Sequence, residues 1–547
     1  MGGNTYSISG NIVDVVKRKI IQGTILVENG KIISIKEGKN KSKQYILPGF
    51  IDSHIHIESS MLIPSEFARL AMMHGTVATV SDPHEIANVL GIEGVDFMIK
   101  DGERVPLKFY FGAPSCVPAT AFETSGATLG VVEIETLMAR PEIKYLSEMM
   151  NFPGVLFENQ EVMQKLAAAK KNGKPIDGHA PGVLGKDAEK YANAGISTDH
   201  ECFTIEEAED KIKAGMKVQI REGSAAKNYE TLIPIIRQHP GEIMFCSDDK
   251  HPDDLAEGHI NRLIKRSLAK GYDLFDVLRA CTLIPRNHYD LEVGMLQEGE
   301  PADMVIVNNL EDFDVMSTYI DGLKVVENGV LLYEIESLRT ELPNKFYASK
   351  LEISDIQVKA KPGAIRLINA LDGQLVTPAS EISPKVENGF VVSDTRQDVL
   401  KIVVYNRYSD APPSIAFIHN FGFKNGAIAS TVAHDSHNII AVGATDEDIV
   451  QAINRIVDSK GGIALADRDT LLHLALPVAG LMSAENAYSV AEAYDTINKA
   501  SKKLGSKLNA PFMTLSFMAL LVIPELKLSD KGLFDGTKFA FTDLFVK

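Results

Sequence analysis

Between residues 48 and 290 the chain passes eight times from a short β-like run into a helical stretch, and this alternation restricts the fold more than any other feature. The β-like runs are LPGFIDSH, TVATVSD, LKFYFGA, IKYLSEM, KPIDGH, GISTDHE, MKVQIRE and EIMFCSD. Helical patterns such as PSEFARLAMMHG, NQEVMQKLAAAKKNG and HINRLIKRSLAKG separate them. Strand and helix in strict alternation imply parallel strands, because each helical crossover returns the chain to the same end of the sheet. Eight units over about 250 residues match a closed (β/α)8 barrel of the TIM type. Periodicity alone does not separate this from an open doubly wound sheet. The count of eight, and the polar residues where the strands end, favour the barrel.

The flanks read differently. GTILVENGKIISIKEG alternates apolar and polar residues around Asn29-Gly30, a strong hairpin signal. The texture returns in ADMVIVNNL and LKVVENGVLLYEI, so residues 1–47 and 291–345 are expected to build one small β-sandwich around the 48–290 barrel. A polar link, SKLEISDIQVKAKPG, then leads to residues 351–547, expected to be a separate α+β domain. Its strands are KIVVYN, IAFIH and NIIAVGA, and its helices DEDIVQAINRIV and AENAYSVAEAYDTINKASKKLG.

Composition bounds the partners. The 547 residues carry a formal charge of −17, which argues against nucleic-acid backbones or anionic lipid as the main partner. Cys116, Cys202, Cys246 and Cys281 are scattered and form no C-x-x-C pair, so a thiolate zinc site or disulfide scaffold is not expected. The opening MGGNTYSISG lacks the basic and apolar regions of a secretory signal. The greasiest segment, Phe512 to Pro524, is too short to span a bilayer and suits a buried core element. A cytoplasmic protein acting on a small molecule, as a homo-oligomer and simplest as a dimer, is the expectation.

Histidines and carboxylates gather where the strands end. The first strand closes on His54-Ile55-His56, and residues i and i+2 of a strand share a face, so both imidazoles can address one metal ion. The second is followed by Asp82-Pro83-His84-Glu85, and the fourth carries Glu148. The fifth ends in Asp177-Gly178-His179, the sixth in Asp199-His200-Glu201, and the eighth in Ser247-Asp248-Asp249-Lys250-His251. In a barrel these ends converge on the face that carries catalysis. Singly, each is explained by a polar strand end or a helix cap. Four histidines and an aspartate on strands one, five, six and eight together indicate a metal site, with nitrogen and oxygen ligands suited to Zn²⁺, Mn²⁺ or Fe²⁺.

GFIDSHIHIESS resembles the first-strand signature of the amidohydrolase superfamily, metal-dependent hydrolases on this barrel, and GMLQEGEPADMVIV after the barrel fits the same pattern. The segments DSHIHIESSM, VSDPHEIANVLG, EMMNFPGV, DGHAPG, STDHE, CSDDKHPDDL and AHDSHNIIAVG resemble more closely the adenine deaminase family, across nearly the whole chain. The resemblance implies two divalent ions, with Mn²⁺ or Fe²⁺ favoured and Zn²⁺ left open. His54 and His56 would hold one, completed by Asp248, and His179 and His200 the other. Glu148 would bridge them. Many relatives use a carboxylated lysine for the bridge, and Lys144 lies on the same strand, but a native carboxylate needs no modification.

Hydrolytic deamination of adenine needs an activated water, which metal coordination supplies by lowering its pKa. It also needs an acid–base group, for which Asp248 is expected. Ring N1 needs a proton donor, with Glu85 or His84 as candidates and Asp249 or Glu201 as substitutes; Glu85 and Asp249 are the expected substrate contacts. The loop holding His434 and His437 is expected to reach the barrel mouth. The stretch Lys165 to Lys171 reads as a solvated helix face. Two rival readings remain: a cyclic amide hydrolase of dihydroorotase or hydantoinase type, and a non-catalytic metal-binding scaffold. A cytidine-deaminase type is disfavoured because the H-x-E…P-C-x-x-C signature is absent.

Overall fold

The computed structural model describes residues 5–336, 338 and 341–546; residues 1–4 of the opening segment, and 337, 339, 340 and 547, lie outside the described residues. Eight parallel strands run where the eight β-like segments place them: Phe50–His56, Thr76–Ser81, Lys108–Ala113, Ile143–Met149, Ile176–Gly178, Thr198–Asp199, Lys217–Arg221 and Ile243–Cys246. The first five form one run of ladders, and the last three another. Asp248-Asp249 pairs in parallel with Ile55-His56, joining the eighth strand to the first. On the other side the Ser197 N–H donates to the Ile176 carbonyl at 2.9 Å, joining the sixth to the fifth. The sheet is thereby closed, and its helices surround it.

Helix boundaries follow local chemistry. Asn159 caps Gln160–Lys171 by accepting from the Glu161 and Val162 N–H groups. The structure corrects one reading of this helix. Lys165 is buried, and its ammonium donates to the Ser115 carbonyl at 3.1 Å while pairing with Glu161. Its apolar stem covers core surface while the charged head finds oxygens, as long cationic side chains do.

The two flanks meet in one eight-stranded sheet, where Tyr45–Pro48 runs antiparallel to Met304–Val307. The Asn29-Gly30 hairpin has both residues at positive φ, 51° and 79°, as a type I′ turn requires. The sheet folds over its own core: Ile12, Ile25, Val27 and Ile46 pack with Met304 and Ile306, and the hairpin returns to hydrogen-bond at Glu300 and Ala302.

The third region is an eight-stranded mixed sheet. The helix Asp446–Ser459 covers one face, and the other joins the core of the barrel. Between the strands Ala427–Ser430 and Ile439–Gly443, residues 431–438 extend over the barrel mouth. Glu66, in the helix Pro64–Met73, accepts from the Ala487 N–H at 2.9 Å. Among the described residues no helix is long and apolar enough to cross a membrane. Phe512 to Pro524 forms the short helix Pro511–Ser516 and the turn Phe517–Ala519, both buried.

Gly178 decides how closely the fifth and sixth strands approach. A Cβ there would stand 2.5 Å from the Thr198 carbonyl oxygen. Gly178→Ala is therefore expected to destabilise the protein by about 1–3 kcal/mol through overpacking, read as a lowered thermal midpoint. An unchanged midpoint would show that the strands separate freely.

Candidate metal centre

Strand geometry brings the expected ligands together. His54 and His56 leave the same face of the first strand, and their Nε2 atoms lie 3.2 Å apart. Asp248 Oδ1 faces both, at 3.6 Å from His54 Nε2 and 3.2 Å from His56 Nε2. Asp248 sits at φ 54°, a left-handed conformation that Asp tolerates better than most residues, and the turn aims its carboxylate inward. From the fifth and sixth strands, His179 Nδ1 and His200 Nε2 approach one oxygen of Glu148, Oε2, at 2.7 and 3.0 Å. The other, Oε1, faces His56 at 3.5 Å and His84 at 3.4 Å. Glu148 thus lies between two sets of imidazoles and presents one oxygen to each. Lys144 sits at the opposite end of the same strand, about 13 Å of extended chain away.

The donor set fits divalent cations. Metal–ligand bonds of about 2.0–2.2 Å place neighbouring ligand atoms about 3.0–3.5 Å apart, close to the spacings found here. His54 with His56 and Asp248, and His54 with Glu148 and His200, each have ligand atoms within 4.8 Å of one another. All are buried, so water does not satisfy their charge, and His179 Nε2 has no hydrogen-bond partner.

Strand seven supplies a residue that the sequence reading missed. Arg221 is fully buried; its guanidinium grips Glu201 and donates to Asp248 Oδ2 at 2.8 Å. Its Nε donates to the Ala226 carbonyl. Burial works to raise the Asp248 carboxyl, but Arg221, His54 and His56 together hold it well below the usual carboxylate range. A charged residue closing the MKVQIR strand was a visible signal, though nothing local says what it pairs with.

The expected second-strand residues lie beside the centre. His84 begins the helix His84–Leu90, and its Nδ1 bonds Asp82 at 3.0 Å. Glu85 points across the mouth to the third region, where each carboxylate oxygen meets one imidazole, His434 on one side and His437 on the other. Against the burial penalty, these histidines and His84 hold the Glu85 carboxyl well below its ordinary value. Burial lowers His434, but Glu85 and Asp249 outweigh it and bring it up to about 9. Burial dominates at His437 and takes it down to about 4. Glu85 therefore has one charged and one neutral imidazole partner at neutral pH. Asp249 accepts from Ser59 at 2.5 Å and lies 3.9 Å from His434. Glu201 is committed to Arg221.

Most of these side chains line one pocket, completed by Met150 and Ala226 from the barrel and by Leu375, Phe517, Leu520 and the acid Asp435 from the third region.

Comparison with known proteins agrees with this layout. Residues 45–325 match the amidohydrolase family and residues 374–540 the adenine deaminase C-terminal domain. The curated adenine deaminase of Methanosarcina mazei is 55% identical, over 98% of this chain and 99% of its own. The chain belongs to the adenine deaminase family. Adenine deaminases of Salinibacter ruber and Borreliella burgdorferi are 51% and 46% identical, each over 99% of its own length. Membership in this metal-dependent superfamily accounts for the buried histidines and acids around Glu148.

Arg221→Met in this deaminase-family chain would leave Glu201 and Asp248 as uncompensated buried charges. Breaking a buried pair on one side costs about 3–5 kcal/mol. The thermal midpoint is expected to fall by several degrees and to recover in part when Glu201→Gln is added. A midpoint equal to that of the parent would contradict the pairing.

Proposed function

We propose that the protein converts adenine and water to hypoxanthine and ammonia at a centre of two divalent ions, with Mn²⁺ or Fe²⁺ favoured. The observation that carries the reading is Glu148 standing between two imidazole sets, one oxygen toward each, in a chain that matches curated adenine deaminases along its length. His54, His56 and Asp248 would hold one ion and His179 and His200 the other, with Glu148 shared. When bound, the ions supply Lewis acidity and bring the pKa of a coordinated water from 15.7 toward ~7.

The remaining work falls to side chains. Arg221 occupies Asp248 Oδ2, so Oδ1 is the atom left to accept the proton of the attacking water and pass it to the departing nitrogen. Attack at C6 loads electron density onto ring N1, which then takes a proton. Glu85 is the best supported group to deliver it. A carboxyl held so low carries no proton of its own to give, so His434, kept charged beside it, supplies one for Glu85 to relay, and the proton shed by the C6 hydroxyl as ammonia leaves restores it. His84 lies 3.4 Å from Glu85 and helps hold that carboxylate in place. Asp249, tied to Ser59, borders the same space and serves as a substrate contact.

The direct test is turnover of adenine by metal-reconstituted protein, read as hypoxanthine and ammonia. Ring opening of hydantoin or dihydroorotate without adenine turnover would overturn the reading. Asp248→Asn and Glu85→Gln are each expected to lower kcat by about 10²–10⁴-fold, with Glu85→Gln retaining its metal by elemental analysis. Chelation should abolish activity and lower the thermal midpoint, because ligands that bind only the folded state stabilise it. Added Mn²⁺ or Fe²⁺ should restore both.

A further inference from the structure

One buried cation beside the pocket wall is unexplained by the chemistry above. Lys527 lies on the strand Leu526–Ser529 with no exposed surface. Its ammonium donates to two backbone carbonyls, Leu375 at 2.6 Å and Phe517 at 2.9 Å. Those residues lie far apart in sequence, yet both line the metal pocket. Burying an ammonium without a counter-charge is costly, and burial alone takes Lys527 down to about 7. A residue placed at such cost fixes what it touches, and here it ties two wall segments to one atom.

The wall itself has a chemical role open to it. The barrel side of the pocket is formed mostly by ions, whereas adenine is a neutral flat ring whose faces need apolar or aromatic contact. Phe517, Leu520 and Leu375 are three of the five apolar residues that line the pocket. Phe517 also stacks on His434, with ring centroids 4.8 Å apart and planes 15° from parallel. His434 binds Glu85, so the wall keeps a fixed offset from the carboxylate assigned to ring N1.

We infer that Phe517, with Leu375 and Leu520, forms the base-binding wall of the pocket, and that Lys527 is its positioning residue, clamping Leu375 and Phe517 through their carbonyls. The inference rests on the purine-base reading above and adds residues to it. It assigns recognition of the ring to the third region and leaves chemistry at C6 to the barrel.

Two measurements on the metal-loaded full chain decide it: adenine kinetics, and calorimetric binding of purine, which has the ring but no amine to lose. Stacking of a base on an aromatic side chain is worth about tenfold or more in affinity. Phe517→Ala is expected to raise the adenine KM and the purine Kd by a common factor of that size, with kcat and metal content little changed. Lys527→Met should move both constants the same way, and Lys527→Gln, which keeps an N–H donor, should bring them back toward the parent values. Adding Lys527→Met to Phe517→Ala should cost little more, because the clamp acts through that ring. Purine affinity unchanged in Phe517→Ala, or a fall in kcat at constant KM, overturns the wall. If neither Lys527 variant folds, or if Gln behaves as Met does, the positioning role is overturned and the lysine is structural. Parent protein that binds purine but does not deaminate adenine refutes the functional reading while leaving the wall standing.

Discussion

Everything in the pocket is arranged around one buried carboxylate. Glu148 reaches the barrel axis from the fourth strand and meets imidazoles from the first, fifth and sixth strands. A lone carboxylate in such a place would be driven to its neutral form by desolvation. His179 and His200 reverse that balance and hold it well below the usual range. The same histidines are in turn kept near the axis by the carboxylate. Remove it, and four buried imidazoles would face one another with too few acids to compensate them. The closed barrel is what makes the arrangement possible, since it directs eight strand ends at one point.

Around that centre, charge is divided into two compartments. One is the Arg221–Glu201–Asp248 network, entirely within the barrel, which leaves Asp248 one oxygen turned toward His54 and His56. The other, Glu85 with His434 and His437, is shared between residues 352 positions apart in the case of Glu85 and His437. In the first, Arg221 helps hold the Asp248 carboxylate ionised, so that it has room for a proton. The second contains a histidine raised to about 9 beside one lowered to about 4, so a proton has a defined place to reside. Separation of the two allows acid and base duties to be assigned to different groups, as hydrolysis of an amidine requires.

Much of this was legible in the sequence because it depends on short-range rules. A strand's two-residue period places His54 and His56 on one face, and parallel strands of a barrel carry their C-terminal residues to one rim. His179, His200 and Asp248 follow from the same rule. What escaped was set by long-range packing. Arg221 stood at a strand end in plain view, but its partners lie on two other strands. Phe517 sat in a segment read as core, and buried it is, but one side of it borders the pocket. Lys165 matched the pattern of an exposed helix face and instead turns inward to Ser115, a difference that no helical periodicity encodes. Glu85 was a candidate from its position, whereas the two histidines that clamp it lie in a loop whose reach depends on the docking of a whole region.

That clamp has a consequence for biosynthesis. The barrel strands end near residue 246, and the first and eighth strands can already pair once Asp249 is free to fold. The residues that secure Glu85 and wall the pocket leave the ribosome much later. At ~5–20 residues per second, translation from the close of the barrel to Phe517 takes roughly 10–50 s. For the early part of that interval the strand-end histidines and acids of the barrel exist without the third-region residues that cover them in the folded protein. Order of synthesis thus puts the histidines and acids of the barrel first, Leu375, His434 and His437 after them, and Phe517 last.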